Sequence, residues 1–153
     1  MVVKALSFTV NTTGGPHFSD VPAGSTFYPY IETLFNSGIV AGYADGTFGP
    51  NANVTRAQIA KIVVGAAVIA SPQHWTLENP PTSTFADVGV GSTFFRYIET
   101  AASHNVVVGY ACGGVGEPCD PQHRPYFRPA SDATRGQASK IVFLTATYSP
   151  RTR

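Results

Sequence analysis

The chain has 153 residues, of which 43% are hydrophobic and only 12% are charged, and its formal net charge is +1. The hydrophobic share argues against disorder, and the scattered Lys and Arg residues exclude a nucleic-acid groove or an anionic membrane surface as partner. The longest apolar stretch, Ile59 to Ala70, is interrupted by Lys61 and Gly65 and falls far short of the ~20 residues that span a membrane.

An internal repeat organises the chain. The matching segments keep one offset up to Ala111, and the match resumes near Tyr126 after an insertion in the second copy. We therefore predict a first repeat at residues 18–70 and a second at residues 85–149, with the insertion at residues 112–125. The matching pairs are Phe18–Val21 with Phe85–Val88, Gly24–Phe27 with Gly91–Phe94, Tyr30–Thr33 with Tyr97–Thr100, Gly42–Ala44 with Gly109–Ala111, Phe48–Pro50 with Phe127–Pro129, and Thr55–Gln58 with Thr134–Gln137.

The N-terminal residues precede the first repeat. Met1–Ala5 reads like Ile62–Ala66, the end of a repeat's last helix. Residues 1–10 are therefore predicted to be the remnant of a preceding repeat, and residues 11–17 are predicted to be a linker. We expect the sequence to be a fragment, or a partner chain to complete the missing unit.

Each repeat is predicted to fold as helix, loop and helix. In the first helix Ser25 or Thr26 is expected to cap the start. Pro29 suits the first turn of that helix, and Gly38 is expected to end it. The apolar residues of this helix recur at helical spacing and predict one buried face: Tyr30, Ile31, Leu34 and Phe35.

The loop after the first helix is rich in turn-forming glycines, and Phe48 is expected to anchor it to the helices. A capping box then predicts the start of the second helix, because Thr55 can accept from the N–H of Gln58 while the Gln58 side chain reaches back. Thr134 and Gln137 repeat this pattern in the second copy. A single helix pair cannot bury its apolar face, so the repeats are expected to pack together.

Two further segments lie outside the helix pairs. Residues 71–84 are rich in proline and polar residues and are predicted to be a linker. Trp75 and Leu77 indicate that part of this linker lies against the body of the protein. Residues 150–153 are predicted to be a tail.

The order of these motifs resembles the S-layer homology (SLH) module. The motifs F-x-D-V, Y-I-E, G-Y-x-D-G-T-F-x-P and V-T-R-A-Q-I-A-K occur here as Phe18–Val21, Tyr30–Glu32, Gly42–Pro50 and Val54–Lys61. The second copy keeps this frame but lacks the D-G-T triplet. The resemblance implies a mainly α fold of helix-loop-helix SLH repeats packed as a small helical bundle, pseudo-threefold if a third repeat is supplied.

The resemblance also implies an extracellular protein at the cell surface or in the cell envelope. SLH modules are non-catalytic and imply no cofactor. They anchor proteins non-covalently to secondary cell-wall polysaccharide, which often bears pyruvylated sugar, or to modified peptidoglycan. The alternative is a structural subunit of a surface layer, filament or envelope complex, held by contacts with other SLH-bearing chains or by self-assembly. An enzyme is the least favoured interpretation.

The family motifs imply a set of glycan-binding residues in this chain. The two arginines of this set follow the cap at a helix N-terminus, where free N–H groups favour an anion and a guanidinium can bind a carboxylate. Gln58 and Gln137 replace the family's Glu, which preserves capping and removes a charge. The implied set is Arg56, Arg135, Asp20, Asp87, Gly42 and Gly109, with Tyr43 and Tyr110 able to stack on a sugar ring.

Local interpretations of the same residues remain open. The arginines can be ordinary solvated helix residues, Asp20 and Asp87 can cap nearby backbone, and the tyrosines can pack within loops or core. Glu32 and Glu99 recur at equal positions, which duplication explains better than a pair of acids for glycoside hydrolysis. The four histidines show no arrangement with a nucleophile.

Both cysteines lie in the insertion, in the segment Cys112–Cys119. Because the glycines between them let the ends meet and an exported protein is oxidised, a disulfide is the favoured interpretation. Zinc is disfavoured because the spacing is wrong for paired Cys ligands, although His123 is near. A calcium loop at Asp45, Asn51 and Asn53 is disfavoured because the EF-hand pattern is missing, so no metal site is predicted.

Overall fold

The computed structural model describes residues 1–148, and within them the regular structure consists of five helices and no strands. The mainly α fold is confirmed. No helix in this part of the chain combines the length and the hydropathy that a membrane crossing requires. The helices are α1 at Val2–Ala5, α2 at Tyr28–Asn36, α3 at Arg56–Ala70, α4 at Phe95–Ser103 and α5 at Arg135–Ala146.

The second helices of the two repeats form the centre of the molecule. Helix α3 packs against both α4 and α5, so the second helix of the first repeat contacts both helices of the second. The short helix α1 packs against α3 and α5 as well as α2. These contacts place α1 beside the second helices of both repeats. The assignment of residues 1–10 to a preceding repeat stays a prediction.

Both second helices begin at a capping box. The Thr55 hydroxyl accepts from the Gln58 N–H at 3.2 Å, and the Gln58 side chain accepts from the Thr55 N–H at 2.8 Å. Thr134 and Gln137 make the same pair of bonds at 3.2 and 3.0 Å. Each box satisfies donors that would otherwise have no partner at the helix start.

The first helices end on a left-handed residue, but they do not begin on a side-chain cap. Gly38 has φ of +70°, and Asn105, which stands at the equivalent position of the second repeat, has φ of +57°. The prediction that Ser25 or Thr26 caps α2 is wrong, because the N-cap is Phe27 and no side chain bonds to the helix start. The Ser25 hydroxyl instead accepts from the Phe27 N–H at 3.3 Å, in a turn just before the helix.

The segments before each repeat are fastened in the same way. The Asn11 N–H donates to Thr33 Oγ1 at 3.0 Å, and 67 residues further on the Glu78 N–H donates to Thr100 Oγ1 at 2.9 Å, each across 22 residues. Thr33 and Thr100 are only 1% and 0% exposed. Residues 78–84 therefore correspond to residues 11–17 under the internal repeat. Each segment is held against the first helix of the repeat that comes after it in the chain.

A buried glutamate holds each of these segments a second time. Glu32 Oε1 accepts from the His17 N–H at 3.0 Å, and its Oε2 lies 2.5 Å from His17 Nδ1. Glu99 accepts from the Thr84 N–H at 3.1 Å and from Thr84 Oγ1 at 2.6 Å, and Ser83 adds a third donor. Both carboxylates are buried, and hydrogen-bond donors already satisfy them. Their role is therefore structural, in agreement with the interpretation that duplication explains why they recur.

The main hydrophobic core joins the two repeats. It combines the inner faces of α3, α4 and α5 with Phe85 and Phe127, whose rings lie 5.3 Å apart. Trp75 is 2% exposed and stacks on His104 at 4.1 Å, so this part of residues 71–84 lies on the body. Phe48 is partly buried and contacts the Phe18 ring at 5.4 Å, in a smaller cluster beneath the first loop.

Candidate functional site

In each repeat an aspartate holds the glycine-rich loop by accepting hydrogen bonds from its backbone N–H groups. We call this contact the aspartate staple. Asp20 accepts from the N–H groups of Phe48 and Gly49, both at 2.8 Å. Asp87 accepts in the same way from Phe127 and Arg128, at 2.7 and 2.6 Å. The Phe48 N–H, and then the Gly49 N–H, hold the pKa of Asp20 below its usual range. The two aspartates thus act on local backbone, and their part in glycan binding stays a prediction.

The glycines at the start of each loop allow a close approach. A Cβ on Gly42 would lie 2.3 Å from the Phe18 ring and 2.6 Å from the Thr47 carbonyl oxygen. A Cβ on Gly109 would lie 2.6 Å from Pro125 and 2.9 Å from the Phe85 ring. Both loops therefore lie in close contact with the phenylalanine of the F-x-D-V motif. Each loop also forms one wall of a groove.

Groove 1 is a cavity of about 450 Å³ between the first loop and the start of α3. Its walls are mainly apolar, and a few polar groups project into it. Tyr43 is 51% exposed at its edge. Within residues 1–148 no carboxylate pairs with the half-buried Lys61 ammonium. The polar and aromatic lining includes Gly42, Tyr43, Asn53, Gln58 and Lys61.

Groove 2 occupies the equivalent place in the second repeat but measures only about 170 Å³. Gly109, Tyr110, Gln137 and Lys140 line it at the positions that correspond to Gly42, Tyr43, Gln58 and Lys61. Arg56 of the first repeat also lines groove 2, so this groove lies between the repeats.

The two arginines implied by the family motif are not equivalent. Arg56 is 6% exposed, and its Nε donates to the Phe127 carbonyl oxygen at 2.8 Å. Its guanidinium also lies 4.7 Å from the Phe127 ring centroid and 5.0 Å from that of Tyr110. Arg135 is exposed at the start of α5, and within residues 1–148 its side chain has no hydrogen-bond partner. The structure therefore makes Arg56 a link between repeats and leaves Arg135 accessible.

The two tyrosines also differ. Tyr43 projects at the edge of groove 1, whereas Tyr110 lies beneath the guanidinium of Arg128, whose carbon is 3.9 Å from the ring centroid. The Tyr110 hydroxyl accepts from Gln137 Nε2 at 3.0 Å. Of these two tyrosines, Tyr43 is the one that presents an open aromatic surface of the kind on which a sugar ring can stack.

The insertion is closed by the bond between Cys112 and Cys119. His123 lies close to both sulfurs, but a disulfide leaves no thiolate to bind a metal ion. The Asp45 carboxylate is used by the Thr47 N–H and hydroxyl, at 3.0 and 2.7 Å. These contacts explain the cysteines and Asp45 without a metal ion.

Sequence reasoning missed three charged residues near the grooves. Lys61 and Lys140 stand at the end of the V-T-R-A-Q-I-A-K motif and its copy, in which only the arginines were assigned to the ligand and the Thr and Gln residues to capping. Arg128 stands where the first repeat has Gly49. The replacement of Gly49 by Arg128 is visible in the alignment of the two copies, so a comparison of the copies could have identified Arg128.

Comparison with known proteins places the first repeat in one family. Residues 17–60 match the family model described as the S-layer homology domain. An amylopullulanase of Thermoanaerobacterium thermosulfurigenes is 30% identical over 94% of the chain. A surface layer protein of Brevibacillus choshinensis is 26% identical over 80% of the chain. The outer membrane protein SlpA of Thermus thermophilus is 46% identical over 33% of it. The chain spans only 7%, 10% and 6% of these relatives, respectively.

Proposed function

This chain belongs to the S-layer homology family, and from that premise we propose that it is a non-catalytic anchoring module of an extracellular, envelope-associated protein. Its ligand is proposed to be an anionic cell-wall glycan, a secondary polysaccharide bearing pyruvylated sugar or a modified peptidoglycan, bound in groove 1. The family match and the relatives that are named as surface-layer and outer-membrane proteins support a place at the cell surface or in the envelope.

The observation that carries this proposal is the size and lining of groove 1. Its volume of about 450 Å³ lies within the roughly 300–1,000 Å³ of small-ligand sites, whereas the 170 Å³ of groove 2 falls below that range. Apolar walls with a few convergent polar groups are typical of such sites. Tyr43 offers a surface for a sugar ring, and Lys61 offers a cation for a carboxylate.

The arginines take different parts in the proposal. Arg135 is proposed as a further anion contact, because it is exposed at a helix N-terminus where backbone N–H groups also favour negative charge. Arg56 reaches a ligand only through groove 2, and its main part is to join the repeats. The anion contact is therefore assigned first to Lys61.

The amylopullulanase relative does not make this chain an enzyme. The chain spans 7% of that protein, so the match covers a small part of it. Glu32 and Glu99 are the two buried acids that recur in both repeats, and each is held by neighbouring donors. An anchoring role requires none of the acid–base chemistry that a glycosidase needs.

Co-sedimentation with wall polysaccharide purified from the producing cells tests the proposal. Lys61→Gln is expected to weaken binding about tenfold or more, because a charge-assisted hydrogen bond contributes about 1.5–3 kcal/mol. Lys140→Gln changes the equivalent residue of groove 2 and serves as the matched control, with binding near that of the wild type. Failure of the wild-type chain to sediment with the polysaccharide would overturn the proposal.

An exposed face of α5 favours a second candidate function, a structural subunit held by protein contacts. Ala60 and Val64 of α3 are fully buried, whereas their counterparts Ser139 and Phe143 are exposed, and Phe143 is 65% exposed. Sedimentation velocity without glycan tests this candidate. The subunit model predicts self-association that rises with concentration and is lost in Phe143→Glu but not in Val115→Glu. A monomer at every concentration would contradict it.

A further inference from the structure

The glycine-rich loops of the two repeats differ at the position that follows the same phenylalanine. Gly49 in the first repeat has φ of +72°, and Arg128 in the second has φ of +60°. The left-handed region suits glycine but costs other residues roughly 1–2 kcal/mol. An arginine held there implies that surrounding contacts fix it, and such strained positions concentrate at functional sites.

Two contacts hold the Arg128 side chain. Its Nε and Nη2 donate to Glu117 Oε1 and Oε2 at 2.7 and 2.9 Å, which is a bidentate pair. Its guanidinium carbon lies 3.9 Å from the Tyr110 ring centroid. The Glu117 side chain is only 15% exposed, and the Arg128 hydrogen bond lowers the pKa of its carboxyl. Arg128 is thus fixed between an acid and an aromatic ring.

The acid in this pair comes from the insertion. Glu117 lies within the loop that the Cys112–Cys119 disulfide closes. Its backbone N–H donates to the Gly114 carbonyl at 3.0 Å, and its carbonyl accepts from the Gly113 N–H at 2.7 Å. The first repeat has no such insertion, and its Tyr43 is correspondingly uncovered.

We propose that Arg128, held by Glu117 of the disulfide-closed insertion, is a latch that covers the Tyr110 ring and keeps sugar rings from stacking on it. The inference rests on the proposed glycan binding and sharpens it, because it assigns the saccharide to groove 1 alone. The Arg128 guanidinium lies closer to the Tyr110 ring centroid than the Arg56 guanidinium does, at 3.9 Å against 5.0 Å, and the Tyr110 hydroxyl is already bonded to Gln137. Duplication thus produced one open tyrosine and one covered tyrosine in the same chain.

Tyrosine nitration with tetranitromethane, read by peptide mass spectrometry, tests the latch without any glycan. In the wild type Tyr43 is expected to react severalfold faster than Tyr110. Arg128→Gly restores the residue of the first repeat, suits the backbone and should raise the Tyr110 rate severalfold, while Arg56 and the bond from Gln137 keep it below that of Tyr43. Glu117→Gln should move the rate in the same direction. Asp120→Asn breaks the neighbouring pair with Arg124 and should leave Tyr110 protected.

Calorimetric titration with fragments of purified wall polysaccharide tests the consequence for binding. One fragment per chain is expected for the wild type and two for Arg128→Gly. Equal nitration of the two tyrosines in the wild type, or an unchanged Tyr110 rate in both Arg128→Gly and Glu117→Gln, would refute the latch. Two sites in the wild type, or a single site in Arg128→Gly with Tyr110 exposed, would refute closure against sugars. Absence of any wild-type binding would refute the proposed function, while nitration would still decide whether the latch exists.

Discussion

Individual loop residues set how closely each loop approaches the helices. Gly42 combines a left-handed backbone with contact against Phe18, whereas Gly46 has φ of +80° and open space around the position of a Cβ. A side chain at Gly46 would therefore meet backbone strain alone, whereas a side chain at Gly42 would meet both backbone strain and steric contact. The aspartate staples act beside them, because Asp20 bonds the two N–H groups that follow Thr47.

We expect Gly42→Ala to lower the free energy of unfolding by about 2–4 kcal/mol, since strain and overpacking add. Gly46→Ala, the matched control, should cost only about 1 kcal/mol from backbone strain. Urea denaturation of both variants measures the difference. Equal losses for the two variants would show that contact with Phe18 is unimportant.

The Asp20 staple predicts a pH dependence of stability. Because hydrogen bonds lower the pKa of the folded-state carboxyl, its contribution is present above the unfolded-state pKa and is lost as pH falls through the folded-state pKa. Asp20→Asn should therefore be less stable than the wild type at neutral pH, and this difference should shrink towards about pH 3. Urea denaturation across this range measures it, and a difference that stays constant with pH would contradict the staple.

At the scale of the element, two kinds of helix start coexist in each repeat. The second helices use a side-chain capping box, whereas the first helices begin from backbone turns with no side-chain cap. The first helices are instead held at their sides, where buried Thr33 and Thr100 accept from the preceding segments. Their position thus depends on chain segments that lie 22 residues away.

Removal of a cap should affect the second helix directly. Thr55→Ala removes the acceptor for the Gln58 N–H and is expected to destabilise the protein by about 0.5–2 kcal/mol. Thr55→Ser keeps the hydroxyl and should retain most of the stability. Thermal denaturation followed by circular dichroism distinguishes them, and equal losses for Ala and Ser would exclude the hydroxyl as the cause.

At the scale of the molecule, the two repeats are joined asymmetrically. Arg56 bridges from the start of α3 to the carbonyl of Phe127 across 71 residues, and the main core spans α3, α4 and α5. Its counterpart Arg135 makes no such bridge within the described residues. One sequence motif thus supplies a buried link in one copy and an exposed cation in the other.

Arg56→Ala should therefore destabilise the fold more than Arg135→Ala. Loss of a buried hydrogen bond from a charged donor costs about 1.5–3 kcal/mol, whereas a change at an exposed site usually stays within about 0.5 kcal/mol. Chemical denaturation of the two variants provides the comparison. Equal stability of both would mean that the Phe127 bridge contributes little to holding the repeats together.

Interactions between residues close in the chain were predictable from sequence. Apolar spacing indicated the first helices, the Thr-x-x-Gln pattern indicated the capping boxes, and the flexible glycines indicated the bond between Cys112 and Cys119. Each of these depends on residues three to seven positions apart, so local geometry alone decides it. The cap assigned to Ser25 or Thr26 failed because backbone turns already begin that helix at Tyr28.

The different surroundings of equivalent residues could not be obtained from the motifs. The same T-R motif places Arg56 between repeats and Arg135 at the surface, because burial depends on which neighbouring repeat packs against each helix. Likewise Tyr43 is open while Tyr110 lies under Arg128, because an insertion brings Glu117 beside that arginine. Sequence thus established the repeated unit and its family, whereas long-range packing left Tyr43 open and placed Tyr110 beneath Arg128.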